Sequence, residues 1–125
     1  MAYSHWVSTP LEPPIQPRQH CRTPWLFGKT DSVSWIKGDS KSDRGKVAAA
    51  HMQHAYCWAI RQRATAQFGS VKAYAAQAGL KYDRFARVMR GEAPLRFEDV
   101  GTARIYLGDI HETAQQVLAA RVVYA

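Results

Sequence analysis

The chain has 125 residues, 46% of them hydrophobic, which suits one domain with a modest core and is too short for a DNA-binding module joined to a full ligand-sensing domain. Lys and Arg outnumber Asp and Glu by 17 to 10, and the net charge of +7 favours a polyanionic partner, of which nucleic acid is the commonest. Two cysteines exclude a disulfide scaffold, and no apolar run approaches the roughly 20 residues that span a bilayer.

The opening stretch MAYSHWVSTPLEPPIQP has no basic region followed by an apolar run, so no signal peptide is expected. The chain reads as soluble and cytoplasmic, with reduced thiols. Residues 1–41 form an irregular N-terminal extension that holds three of the four tryptophans and every proline except Pro94. LEPPIQP cannot be helical, because proline lacks an amide donor and restricts the residue before it. The segment before Gln16 is expected to be flexible. Further on, a short β-hairpin is expected, with Trp25–Phe27 and Val33–Ile36 as strands around Lys29-Thr30-Asp31-Ser32.

Residues 42–125 read as a helical domain. Ser42 or Asp43 caps a first helix that runs to Phe68, with Val47, Ala50, His54, Cys57, Ile60, Ala64 and Phe68 on one apolar stripe. Gly69 stops it and Ser70 caps a second helix over 71–78. Gly79 makes the turn to a third, over 82–90, which Gly91 ends. After the loop GEAPL a fourth helix covers 96–107 and stops at Gly108. Asp109 and Glu112 form a capping-box-like pair for a fifth helix that reaches Tyr124. The fold class is therefore mainly α: a compact four- to five-helix bundle with a helix-turn-helix, preceded by the irregular extension.

Charge singles out the second and third helices. From Ser70 to Gly91 the residues Lys72, Lys81, Arg84, Arg87 and Arg90 stand against Asp83 alone, whereas from Glu92 onward acids outnumber bases. Two short helices joined through a glycine turn can cross steeply, so that one braces the other and the second enters a major groove. Ala75 is small where they would approach, and Gly79 can take the positive φ of a tight turn. Val71, Tyr74 and Ala78 on one helix and Leu80, Phe85 and Val88 on the other form the inward faces. Lys81, Tyr82, Arg84, Arg87 and Arg90 are left pointing outward, and arginine can grip guanine bidentately.

The stretch VKAYAAQAGLKYDRFARVMRGEAPLRFEDV resembles the helix-turn-helix of the phage Cro/CI repressor class, often called XRE-like. The likeness rests on the Ala75 and Gly79 spacing, Leu80 after the glycine, the inward Phe85 and Val88, and the Arg-Gly that ends the third helix, and it covers residues 45–108. It implies a compact helical DNA-binding domain, often dimeric on a palindromic operator. Carried onto this chain, it sets Lys81, Tyr82, Asp83 and Arg84, then Ala86 and Arg87, against base edges, with Lys72 and Arg90 on phosphates. This chain departs from the class in having Lys81 where a Ser or Thr commonly caps the reading helix. Either Lys81–Arg84 reads bases with Asp83 as an acceptor, or Asp83 caps a later-starting helix and Arg84 with Arg87 carries the contact.

Other patterns carry less. His51, His54 and Cys57 sit at three-residue steps, which rotate around a helix instead of converging on a metal, and FGKT lacks the earlier glycine of a phosphate loop. No catalytic grouping stands out. The expectation is a non-enzymatic transcriptional regulator, a repressor, without metal or cofactor, binding double-stranded DNA as a homodimer. The alternative is a helix-turn-helix scaffold for protein contacts in a phage or mobile-element complex. In it the aromatic N-terminal segment, with Trp6, Trp25 and Trp35 among basic residues, docks a partner. Trp25 and Trp35 are more simply read as covering the helical body.

Overall fold

Helix α1, Lys41–Phe68, is the longest element described, and the segment before it and later helices pack against it. In this computed structural model the described residues are 15–120, together with the backbone of Val123–Tyr124. The expectation for the chain before Gln16 lies outside them but for Ile15, and so does the place of Trp6, as do Arg121 and Val122. Ser40 caps α1, its hydroxyl accepting from the Asp43 amide at 3.1 Å, two residues earlier than Ser42. Of the expected stripe, Val47 through Ala64 is buried and Phe68 is half-buried.

The remaining helices are α2, Val71–Ala78; α3, Tyr82–Met89; α4, Phe97–Leu107; and α5, Ile110–Ala119. The molecule is mainly helical, with α2, α4 and α5 all packed on α1. Helix α5 buries Ile110, Ala114 and Val117, and Asp109 caps it. The helix ends at Ala119 and does not reach Tyr124. Val123–Tyr124 is instead extended and forms strand β2, paired in parallel with β1, Ser34–Trp35. A β-branched residue followed by an aromatic one suits that state better than another helical turn.

The expected hairpin is absent, because Trp25 belongs to no strand. Pro24 opens a short 3-10 turn over Pro24–Leu26, with its fixed φ at the first position. Trp25 is 65% exposed at its surface. Phe27 and Trp35 do enter the core, at a ring spacing of 6.3 Å, with Cys21 and Val33 beside them. Residues 16–36 thus form a strap across the helices, held on itself by bonds such as Ile36 N–H to His20 O at 2.8 Å.

The strap is wedged under the end of α3. Arg18 N–H donates to Gly91 O at 3.0 Å. Gly91 has φ 74°, and a Cβ there would lie 2.7 Å from the Phe27 ring and 2.9 Å from Arg18 Cβ. Both the backbone conformation and the space require glycine. Gly91→Ala is expected to cost about 2–4 kcal/mol by combining left-handed strain with overpacking. Gly101→Ala, in open space on α4, should stabilise by about 0.5–1 kcal/mol. Urea unfolding of both variants checks the contrast.

Candidate nucleic-acid interface

The α2–α3 pair is built as its sequence suggests. The Ser70 hydroxyl accepts from Ala73 N–H at 2.9 Å and starts α2. Gly79, with φ 72°, ends it, and Leu80 N–H returns to Ala75 O at 2.9 Å. Tyr74 and Ala75 from α2 meet Phe85 and Val88 from α3 in the core, with the Tyr74 and Phe85 rings 5.9 Å apart edge to face. Lys81 is the N-cap of α3 but makes no capping bond through its side chain. Asp83 is therefore not the cap. It lies exposed in the first turn, where a carboxylate complements the positive end of the helix.

Arg84 does not face outward as a free reader. Its guanidinium holds both oxygens of Asp99, Nη1 at 3.3 Å from Oδ2 and Nη2 on Oδ1. Asp99 is buried on α4 and also accepts from Arg96 N–H at 3.0 Å, so one carboxylate both closes the first turn of α4 and ties it to α3. The Asp99 hydrogen bond raises the Arg84 pKa above its ordinary value. Ala86, also expected outward, is buried on the side of α3 that faces Lys29 and Arg61. The local pattern of α3 does not mark that side as covered, yet the strap and α1 lie against it.

The outward residues of this pair are Lys72, Lys81, Tyr82, Asp83, Arg87 and Arg90. Lys72 Nζ stands 5.7 Å from the centre of the Tyr82 ring, which joins the two helices across their open face. At the other end, Glu92 gathers three arginines. Arg90 Nε donates to it at 2.5 Å, Arg18 lies at 3.6 Å and Arg87 at 4.0 Å. The Arg90 hydrogen bond, helped by Arg18 and Arg87, holds the Glu92 carboxyl below the usual carboxylate range. One carboxylate against three guanidiniums leaves this end of α3 positive. Glu92 and Asp99 were not singled out from the sequence as partners of these arginines. Glu92 lies close to Arg90 in the chain, but nothing local places Asp99 beside Arg84.

Behind this surface lies a buried histidine. Gly28 N–H donates to His54 Nδ1 at 2.8 Å, so the ring proton sits on Nε2, which is buried without a partner among the described residues. The ring edges of Phe27 and Trp35 enclose it. Burial pushes the His54 pKa from 6.5 down to about 4. Cys21 and Cys57 are buried free thiols, both pushed up to about 12 by burial, and so are poor nucleophiles or ligands at neutral pH. Among the described residues no three His, Cys, Asp or Glu side chains are grouped to hold a metal ion. No described helix is long and apolar enough to cross a membrane.

No family model, curated protein or solved structure matches the chain.

Two measurements test these roles. Arg84→Ala strands a buried carboxylate and should cost about 3 kcal/mol of stability, whereas Arg87→Ala, at an exposed pair, should change stability by less than about 0.5 kcal/mol. Equal losses would remove Arg84 from its tie to α4. For His54 the unfolded chain binds the proton more tightly than the folded one. Its contribution is full above pH 6.5 and is lost as pH falls towards 4, by about 3 kcal/mol in all. Asn at position 54 keeps an acceptor for Gly28 N–H without titrating. Chemical denaturation from pH 7 to pH 4 should therefore show a shallower decline for His54→Asn than for the parent.

Proposed function

We propose that this protein binds double-stranded DNA sequence-specifically and regulates transcription, as a repressor of the Cro/CI-like kind, with α3 in the major groove. The observation that carries the reading is the open face of α3: Lys81, Tyr82 and Arg87 stand free of the core on a helix braced by α2 through Gly79. Arg87, in its long pair with Glu92, is the base reader, because exchanging an exposed ion pair for a bidentate grip on guanine loses little. Lys81 and Tyr82 flank it. Asp83, beside them, accepts from a cytosine amino group and disfavours other bases. Lys72 and Arg90 take backbone phosphates, which supply salt-dependent affinity but no sequence preference. Arg84 and Ala86 drop out of the reading set, the first held by Asp99 and the second buried. A twofold dimer would set two α3 helices about 34 Å apart, one turn of DNA.

One observation favours a protein-binding scaffold instead. Phe97 is 95% exposed and, with Met52, Tyr56 and Val100, lines an apolar groove of about 310 Å³ between α1 and α4. Salt separates the two readings. DNA affinity should fall steeply between 50 and 200 mM salt, by about 10³-fold if some six phosphates are neutralised, while a contact anchored on Phe97 should hold.

Fluorescence anisotropy with genomic duplexes tests the proposal. Arg87→Ala is expected to weaken the preferred site by about 1–3 kcal/mol and to relax discrimination at one position. Lys72→Ala should weaken all sequences alike. The absence of salt-sensitive binding to any duplex would refute the DNA reading.

A further inference from the structure

We infer that a cleft beside α3, formed with residues from outside the helix-turn-helix, is a phosphate-binding site that takes one backbone phosphate of the bound duplex. It deepens the DNA-binding reading above and rests on it. The cleft, of about 160 Å³, has Lys29 of the strap, Arg61 of α1 and Arg90 of α3 in its walls, Tyr82 among its lining residues, and Ala86 and Met89 from α3 facing into it.

Three observations point to an anion. First, three cationic side chains line one small cleft with no carboxylate among its lining residues. Among the described residues Lys29 and Arg61 have no acidic partner, and Glu92 engages only Arg90 of the three. Like charges that share a cleft repel, and an anion between them relieves the repulsion. Second, the fold fixes the Arg61 guanidinium and the backbone that carries Lys29. Arg61 Nε donates to Gly28 O at 3.0 Å, while Gly28 N–H is held by His54. That double hold fixes the residue before Lys29 and leaves the outer nitrogens of Arg61 without a hydrogen bond among the described residues. Gly28 itself is required, since its φ is 69° and a Cβ would meet Cys57 Cβ and Met89 O at 2.9 Å. Third, the cleft adjoins the proposed reading surface through Tyr82, whose ring also carries Lys72. An arginine with a fixed guanidinium and a mobile lysine are the usual pair for a phosphate oxygen set. Arg61 and Lys29 would thus extend the phosphate track of α3 onto α1 and the strap, so the strap would share in binding as well as in packing.

The test combines salt titration with an NMR titration of isotope-labelled full-length protein. Lys29→Ala touches no packed group, and Arg61→Gln keeps a donor for Gly28 O. Each is expected to lower affinity for every duplex alike and to reduce the salt slope, and the two together to reduce it by about 0.9, one phosphate's worth, with sequence preference unchanged. The Gly28 and Lys29 amides and Arg61 Nε–H should shift with a short duplex. Duplex binding that shifts α3 but not these groups, with unchanged salt slopes, overturns the cleft assignment and leaves the DNA reading standing. No response to any duplex, with cleft shifts on adding inorganic phosphate alone, overturns the DNA reading and makes the occupant a free phosphate. No response to either overturns both.

Discussion

The structure depends on polar side chains of α1 reaching out to the joints between the other elements. Gln53 is buried, and its amide donates to Val88 O at 3.0 Å and Ala93 O at 2.9 Å while its oxygen accepts from Leu95 N–H at 2.9 Å. His54 and Arg61 hold the two sides of Gly28. Arg63 and Gln67 donate to Leu107 O, and Arg63 also to Asp109 O, where α4 hands over to α5. A turn buried against a helix leaves backbone groups that water cannot reach, and each unpaired group costs on the order of 1–3 kcal/mol. A purely apolar α1 would pack better in isolation but would leave these joints unsatisfied.

This arrangement explains why α3 can be short and still well placed. Eight residues make a marginal helix alone. Here its first turn follows the Gly79 turn, its middle is bound to α4 by Arg84 and Asp99, and its Val88 carbonyl is held by Gln53 and, more weakly, Cys57 Sγ at 3.6 Å. The strap closes the end at Gly91. Side chains on the remaining face are therefore presented from a fixed backbone, which lowers the entropic cost of recognition. The same bracing determines which arginine is available. Arg84 serves the bracing, and Arg87, one turn on, carries only an exposed pair.

Helices α2 and α3 were legible in the sequence because their signals are local. Ser70, Gly79 and Gly91 mark the ends, and Tyr74, Phe85 and Val88 mark the inward faces. The stripe of α1 was legible for the same reason. What was hidden depends on partners distant in the chain. Gln53 lies about 40 residues from the loop it satisfies, and Asp99 lies 15 from Arg84. The aromatic run around Trp25 imitates a strand, but Pro24 starts a 3-10 turn that turns Trp25 to solvent. At the other end, Val123 and Tyr124 read as the end of an amphipathic helix, and pairing with Ser34–Trp35, distant in the sequence, adds to their β-propensity and makes the extended state the better one. Ala86 was placed outward because nothing in α3 announces that the strap and α1 cover its second side.

We propose that α1 and the strap hold α3 so that its open face reads duplex DNA. Repeated selection from a pool of random duplexes with the full-length protein tests it most directly. The account predicts that one short sequence is enriched, and that Arg87→Ala loses the preference at a single base pair while Arg84→Ala, wherever it still folds, keeps the parent's motif. Recovery of the starting pool without enrichment, or loss of the motif by the folded Arg84 variant alone, would contradict it.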